Sequence, residues 1–238
     1  MVARTIRDES PMNPARLSDA DRAGAEPKET RERIKLVASE HYVLVGNDAF
    51  NFGQIAEAVG VTRGNIHHHF GSKRKLVAEL VRDLTADAEA RIRHHWARPG
   101  LKLSERLREQ LDDLRRFYKR FHPKPGARNV WSPLARIRLD LPMLDKTAGK
   151  TLERINAVYD ESLRVALGEA IASGELRADT PVGDIVQLLR VTFLSSPPIT
   201  QDSGSFDDIE RLFTALDRTV IGAWSVPKAG RRQRAART

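Results

Sequence analysis

An all-α fold is the prediction from this sequence, and three of its features carry that prediction. Apolar residues recur every three or four positions through most of the 238 residues, as on one face of a helix. Glycine, proline and serine stand where these segments begin and end. No segment alternates apolar and polar residues over the length of a half-buried strand. The expected architecture is therefore a small N-terminal helical domain followed by a larger helical domain.

Composition divides the chain into four segments. Residues 1–27 mix charge, proline, glycine and alanine without an apolar face, so we expect a disordered arm. Residues 28–84 form the small domain and residues 85–226 the larger one. Residues 227–238 contain five basic residues and no acidic one, and are expected to form a disordered basic tail. Both ends could touch nucleic acid, or could be solvated tails without a contact.

Each helix of the small domain has a recognisable start or stop. The first helix is expected over residues 27–45, with Gly46 as its end. Gly60 suits the left-handed position that ends the second helix, because glycine has no Cβ to clash. The expected N-caps of the second, third and fourth helices are Asn51, Thr62 and Ser72. Gln54 follows Asn51 by three residues, as in a capping box.

Turn residues also divide the larger domain. The fourth helix is expected to continue to Pro99 and Gly100, and a fifth to run from a cap at Ser104 to Pro123. Further helices are expected from Ser132 over a short stretch, over 142–173, over 181–194 with Pro197 and Pro198 as the stop, and over 206–224, with a loop at 201–205.

Residues 51–75 combine two short helices, a tight turn and a basic restart. In a small helical domain this helix-turn-helix layout can place the second of these helices in the major groove of DNA. Arg63 is suited to a guanine edge, which a guanidinium can bond with two parallel hydrogen bonds. Gly64 would let the backbone approach closely. The predicted DNA-binding residues are Asn51, Phe52, Thr62, Arg63, Gly64, Asn65, His67, His68 and Lys73.

The stretch over residues 28–84 resembles the N-terminal domain of the tetracycline-repressor-like (TetR) family. The matching segments are Arg33-Ile34, Gly46, Ile55-Ala56-Glu57-Ala58, Gly60-Val61-Thr62-Arg63-Gly64, His69-Phe70 and Gly71-Ser72-Lys73. The resemblance implies a transcriptional regulator, and repression is the family's usual mode. Two positions depart from the family pattern. His67 replaces a phosphate-binding tyrosine, although a histidine can still donate to a phosphate, and Phe50 replaces a small polar residue.

By the same resemblance, the larger domain forms a homodimer and holds a small-molecule effector that releases the protein from a palindromic operator. The residues expected around the effector are Trp96, Phe117, Tyr118, Phe121, His122, Trp131, Met143, Asn156 and Phe193. Those expected at the dimer interface are Val186, Leu189, Phe193, Leu212, Phe213, Leu216 and Val220. For both sets, the alternative is ordinary packing in the core of one chain.

Composition also excludes several classes of site. The chain has no cysteine, so disulfides, thiolate metal sites and thiol nucleophiles are excluded. No apolar run reaches the roughly 20 residues of a membrane span, and no signal core is present, so we expect a cytoplasmic protein. His67, His68 and His69 are consecutive on a helix and face different directions, which argues against a shared metal ion. We expect neither a metal nor a cofactor.

Charge placement separates the remaining alternatives. Residues 28–82 carry nine basic and six acidic residues, whereas residues 83–226 carry 22 and 21, so the positive excess lies on the small domain and the tail. A non-specific nucleic-acid-binding protein would spread basic charge over the whole surface. An enzyme would need a nucleophile, metal or phosphate-loop motif, and none is recognisable. The sequence therefore predicts a non-enzymatic, sequence-specific regulator.

Overall fold

The computed structural model describes residues 27–121 and 126–227. The regular elements in these two stretches are helices, which confirms the predicted fold class. None of these helices is both long and apolar enough to cross a membrane. The arm and the tail predicted at the two ends lie outside the described residues, apart from the first residue of the first helix and Pro227.

The chain divides into two compact units, with the boundary between Arg82 and Asp83. The first unit contains α1 (Pro27–Ala49), α2 (Phe52–Val59), α3 (Arg63–Phe70) and the start of α4 (Lys73–Trp96). Asn51 opens α2 by accepting a hydrogen bond from the backbone N–H of Gln54 at 3.0 Å. The hydroxyl of Thr62 opens α3 in the same way, at 3.1 Å from the N–H of Asn65. These contacts confirm the predicted caps.

Among the described residues of the first unit, three glycines, Gly46, Gly60 and Gly71, have positive φ, and the first two shape its helices. Gly60 ends α2 with a φ of 77°, as predicted. Gly46 has a φ of 73° inside α1, so the regular part of that helix ends there, but the chain returns to helical turns as far as Ala49. Phe50 comes next, with 1% of its surface exposed and its ring edge-on to Tyr42. The aromatic residue at position 50 therefore completes the core of the unit.

In its described residues, the second unit contains the rest of α4, five further helices of at least eight residues and several short turns. From the end of α4 onward these are α5 (Leu103–Phe121), α6 (Pro133–Asp140), a 3-10 turn (Leu141–Met143), α7 (Lys146–Ala172), α8 (Val182–Ser203), α9 (Asp207–Leu216), a π-helical turn (Asp217–Ile221) and α10 (Gly222–Trp224). Helix α8 packs against both α7 and α9. An isolated antiparallel bridge between Leu176 and Ser225 ties the residues directly after α10 to the segment after α7.

Helix α8 shows where the boundary prediction failed most clearly. It does not stop at Pro197 and Pro198 but continues to Ser203. Proline removes a helical hydrogen bond, so its presence inside a helix requires compensation. The hydroxyl of Thr200 donates to the carbonyl of Pro197 at 2.8 Å and accepts from the indole N–H of Trp131 at 2.6 Å. This contact with a distant residue stabilises the helical turn after the prolines.

Two other predicted helix starts are wrong. Helix α5 begins at Leu103 and is not capped by Ser104, because the carboxylate of Glu175 accepts the N–H of Leu103 at 3.1 Å. The long helix α7 begins later than predicted, because Asp145 caps it by accepting the N–H of Thr147 at 2.8 Å. The last predicted helix, 206–224, is helical without a break from Asp207 to Trp224, but its middle, Asp217–Ile221, is π-helical.

Candidate functional site

Helix α3 presents a polar face while two apolar residues attach it to the first unit. Ile66 and Phe70 are buried, with 0% and 6% of their surface exposed. The predicted DNA-binding residues here are exposed at Thr62, Arg63, Gly64, His67 and His68 and half-buried at Asn65. A short helix fixed from behind, with a polar outer face, has the form of a recognition helix.

The side chain of Arg63 lies against α2. A Cβ at Gly53 would overlap Nη2 of Arg63, so the missing side chain at position 53 lets the guanidinium rest on that helix. Within the described part of the chain, Arg63 forms no hydrogen bond or ion pair. Its five N–H donors are therefore available to a nucleic acid after a change of rotamer.

Phe52 differs from the other predicted DNA-binding residues because its side chain is buried. Only 8% of its surface is exposed, and its ring meets the ring of His67 edge-on at 4.8 Å. A side-chain contact between Phe52 and DNA is therefore not supported by its position. The backbone N–H groups at the start of α2 remain available for a phosphate.

Asn51 and Lys73 use their polar groups within the first unit. Besides capping α2, Asn51 donates from Nδ2 to Oε1 of Gln54 at 2.8 Å. The ammonium of Lys73 donates to the carbonyl of Asp48 at 3.3 Å. At these two positions a phosphate would therefore bind to the backbone N–H groups at the N-terminus of α2 or α4, which have no partner within the helix.

Acidic charge beside α3 is neutralised. Glu79 accepts hydrogen bonds from Arg31 at 2.6 Å and lies 3.5 Å from the ammonium of Lys35. The guanidinium of Arg31 also covers the ring of Phe70, 4.8 Å from its centre.

Burial lowers the pKa of His69, and the charges of His68 and Arg31 lower it further. His69 is thus neutral at pH 7 and half-buried, as expected for a packing residue.

Gly64 has no role in the packing of the free protein. A Cβ at this position would have the hydroxyl of Thr62 as its nearest neighbour, at 3.7 Å. We expect Gly64→Ala to stabilise the protein by about 0.5–1 kcal/mol, because alanine loses less backbone entropy in a helix. We expect the same variant to weaken DNA binding, because the methyl group would separate α3 from the groove. Thermal unfolding and fluorescence anisotropy with operator DNA measure the two effects.

Gly149 provides the matched control for Gly64. It lies in the first turns of α7, and a Cβ there would meet nothing within 4 Å. Gly149→Ala should raise stability to a similar extent and leave DNA affinity unchanged. Equal DNA affinities for both variants would show that close approach at Gly64 is not needed.

His67 is a poorer hydrogen-bond donor to a phosphate than a tyrosine would be. Its Nδ1 lies 3.1 Å from the carbonyl of Gly71, and only a protonated Nδ1 can donate to a carbonyl. In the neutral ring Nε2 is then an acceptor, which cannot bond a phosphate oxygen. We expect His67→Tyr to tighten DNA binding about tenfold at pH 8, since a phenol donates to a charged oxygen. His68→Tyr, at an exposed neighbour, should change affinity little, and a similar gain in both variants would contradict the role given to Nδ1.

The second unit contains a cleft of about 550 Å³, a volume that includes its open mouth. Phe117, Trp131 and Phe193 line it, and all three belong to the predicted effector site. The other predicted residues that the structure describes do not line the cleft. Trp96 and Phe121 are buried in the core, Tyr118 packs on Trp131 and Phe206, Met143 is exposed, Asn156 is half-buried on α7, and His122 lies outside the described residues.

Sequence reasoning missed the polar residues of this cleft. They are Arg91, His95, Gln110, Asp113, Arg138 and Tyr159. Most of these residues lie in charge-rich segments. The sequence pattern of such a segment is the same whether a charged side chain is half-buried or solvated. Gln110 lies four residues from Arg106 and four from Leu114, and so shares a helix face with both. This spacing does not show whether that face is in the core or on the surface. Here Gln110 is 3% exposed and accepts the indole N–H of Trp96 at 3.0 Å.

Asp113 is the centre of a charged network at one wall of the cleft. Its carboxylate lies 3.3 Å from Nε of Arg91 and accepts a hydrogen bond from Arg116 at 3.0 Å. Burial opposes ionisation of Asp113, but the nearby ring of His95, whose Nε2 lies 3.6 Å from the carboxylate, and the charge of Arg91 prevail, and they lower the pKa of this carboxyl. The guanidinium of Arg91 also covers the ring of Phe117 at 4.6 Å. Asp113 is thus an anion whose charge is already balanced.

Metal-binding donors occur near this network and not among the three consecutive histidines. In the described stretches, ligand atoms of His94, His95 and Glu109 lie within 4.8 Å of one another. The guanidinium of Arg98 already contacts His94 at 3.2 Å and Glu109 at 2.5 Å. A metal ion would have to displace this cation, so the group is an ion-pair cluster in the first instance.

The predicted dimer residues are mostly core residues of a single chain. Exposure is 0–7% at Val186, Leu189, Phe193, Phe213 and Leu216, while Leu212 and Val220 are half-buried. The large apolar residues that α8 exposes are instead Leu188, at 53%, and Val191, at 49%. The buried residues of α8 therefore contribute to the interior of the second unit, where α8 packs against α7 and α9.

Comparison with known proteins connects the helix-turn-helix to a family. Residues 37–80 match the family described as bacterial regulatory proteins, tetR family. The HTH-type transcriptional repressor AcnR of Corynebacterium glutamicum is 29% identical over 164 residues, covering 67% of this chain and 76% of that protein.

Solved structures extend the likeness to the second unit. A TetR family transcriptional regulator from Agrobacterium tumefaciens superposes with a TM-score of 0.66 at 21% identity, covering 84% of this chain and all of that one. A second, from Cytophaga hutchinsonii, gives a TM-score of 0.67 at 17% identity and covers 89% and 99% of the two chains. At these identities the superpositions show a shared fold.

Proposed function

Because the chain belongs to the TetR family of bacterial transcriptional regulators, we propose that it is a repressor that binds a palindromic operator as a homodimer and is released by a small organic effector. The observation that carries the proposal is the exposed polar face of α3, which begins at the Thr62 cap and is held in place by Ile66 and Phe70. Arg63 would read a guanine edge, and the N-termini of α2 and α4 would bind phosphates.

Dimerisation is proposed because one recognition helix buries little surface for strong specific binding. Two copies related by a two-fold axis would read half-sites about 34–36 Å apart, or a multiple of that spacing. The exposed pair Leu188 and Val191 on α8 supports a contact between second units, since two large apolar residues one turn apart are exposed there in a single chain.

We expect Leu188→Glu to convert the dimer to a monomer and to weaken operator binding. A charge placed in the centre of an apolar contact is costly, whereas the same side chain is more than half exposed in one chain and should tolerate the change. Sedimentation velocity and anisotropy measure the two effects. Leu139→Glu, at a leucine on α6 with 57% exposure, is the matched control. A dimer that persists in Leu188→Glu would place the interface elsewhere.

The effector is proposed to bind in the cleft of the second unit. Ala88, Arg91, Ile92 and His95 of α4 line this cleft, and the same helix begins at Lys73 directly after the helix-turn-helix. A ligand that displaces α4 would therefore alter the presentation of α3 to DNA. Linkage then requires that effector and operator weaken each other's binding by the same factor.

Selection of genomic DNA fragments by the purified protein at physiological salt tests the proposal. We expect recovery of a recurrent palindromic site, and loss of one base preference in each half-site when Arg63→Ala is used in parallel. Uniform recovery of all fragments would indicate a non-specific binding protein, since phosphate contacts carry no sequence information. Recovery of no fragments would contradict DNA binding itself.

A further inference from the structure

Arg138 stands out in the cleft because its charge is not balanced. It lies half-buried on α6, and within the described residues it forms no hydrogen bond or ion pair. Burial lowers its pKa, which marks a cation held partly away from water. The acidic residue nearest in sequence, Asp140, lies 3.8 Å from Arg136 instead. A half-buried guanidinium without a carboxylate partner favours the binding of an anionic ligand.

The other charges of the cleft do not fill this role. Arg91 is paired with Asp113, which also accepts a hydrogen bond from Arg116. These residues leave Arg138 as the cation without a carboxylate among the described cleft residues. Because one guanidinium is left without a carboxylate, a ligand with a single negative charge is favoured over one with two, whose second charge would have no partner among the described residues of the cleft.

Tyr159 supplies a second donor beside Arg138. It is 5% exposed and lines the cleft, and its hydroxyl has no hydrogen-bond partner within the described chain. Burial and the charge of Asp113 raise its pKa, against the smaller opposing effects of Arg91 and Arg138, so the phenol remains protonated. A phenol and a guanidinium that line the same cleft can serve the two oxygens of one carboxylate.

The remaining walls are apolar and largely aromatic. Phe117, Trp131 and Phe193 line the cleft together with Ile92 and Leu194. Surfaces of this kind bind a flat or aliphatic body and exclude water from the polar end. The cleft therefore combines one unpaired cation, one free phenol and an apolar body site.

We propose that the effector is a small organic monocarboxylate, whose carboxylate binds Arg138 and Tyr159 and whose apolar body packs against Phe117, Trp131 and Phe193. This assignment rests on the proposed effector-released repressor for its regulatory consequence, but the binding site itself does not require it. Phosphate monoesters share the anionic chemistry, and the test separates them from carboxylates.

The test uses the full-length protein with four carboxylates as probes: benzoate, phenylacetate, indole-3-acetate and octanoate. Each is added at about 20 mM, well above a millimolar Kd, and compared with its neutral amide and with phenyl phosphate. We expect at least one acid to raise the unfolding temperature, and its amide and phenyl phosphate to have no such effect. Titration calorimetry with that acid should show roughly 10- to 100-fold weaker binding to Arg138→Met, because a hydrogen bond to a charged group is lost.

Arg164→Met is the matched control, since Arg164 is exposed on α7 and does not line the cleft. It should retain the affinity of the wild-type protein. Without ligand, Arg138→Met should unfold about 2–4 °C higher than the wild type, because an unbalanced charge has been removed. A lower unfolding temperature would show that Arg138 holds the fold together, and would overturn its assignment as a ligand site.

Four further results would overturn the proposal: equal effects of acid and amide, a preference for phenyl phosphate, full affinity in Arg138→Met, or no effect of any acid. Operator binding, measured in the same samples, shows whether the effector assignment or the proposed repressor function has failed. Specific DNA binding without acid binding would refute only the effector class. Acid binding without specific DNA binding would refute only the repressor.

Discussion

Replacement of Arg106 by alanine is expected to destabilise the second unit by about 3–5 kcal/mol, the largest effect on stability expected from this structure. The side chain of Arg106 is fully buried. It donates to the carbonyl of Trp96, to the carbonyl of Leu101 at 3.2 Å and to the carboxylate of Glu169. One guanidinium thus connects the end of α4 and the following loop to α7. Its removal leaves two carbonyls without their donor, and a cavity in the core.

Urea unfolding followed by circular dichroism measures this loss. Arg98→Ala is the control, because it removes the same charge from an ion pair with Glu109 whose side chains are 39% and 35% exposed. Such a pair should contribute no more than about 1 kcal/mol. A loss for Arg106→Ala as small as that for Arg98→Ala would mean that its hydrogen bonds are replaced by water.

Arg63→Ala is expected to have the largest effect on DNA binding. A bidentate contact with a base discriminates by about 1–3 kcal/mol, so a dimer that loses it in both half-sites should lose about 2–6 kcal/mol. Arg63 is exposed and rests on Gly53 without a hydrogen bond in the described chain, so stability should not change. Anisotropy with the selected operator and with random DNA gives affinity and specificity together.

Lys28 provides a control for the loss of charge. It is exposed at the start of α1 in the same unit. Lys28→Ala should reduce the salt dependence of binding at most slightly and leave the base preference intact. If both variants weakened operator and random DNA equally, Arg63 would be a phosphate contact and another residue would have to read the bases.

The helix-turn-helix could be predicted from the sequence because its determinants are local. Asn51 bonds Gln54 and Thr62 bonds Asn65, each three residues away, and Gly60 adopts the left-handed conformation that its own missing Cβ permits. Contacts of this range are formed by neighbouring residues, so their pattern can be recognised without knowledge of the rest of the fold.

Phe52 and His67 mark the limit of that local reasoning. Both were assigned to DNA from their position in the motif. The burial of Phe52 and the edge-on contact between the two rings depend on how α2 and α3 pack. Side-chain availability is therefore decided by tertiary contacts even within a motif that the sequence defines.

The sequence by itself determined the helical class, the caps of the first unit and the helix-turn-helix, and its predicted effector residues include Phe117, Trp131 and Phe193, which line the cleft. Only the tertiary structure decided that α8 passes through Pro197 and Pro198, that Leu188 and not Leu189 is exposed, and that Arg138 faces a cleft without a partner. An apolar stripe shows which side of a helix avoids water, but not which chain covers it. The sequence of a charge-rich helix does not show which of its charged residues are buried. The free energy of burying a charge depends on partners that lie far away in the sequence.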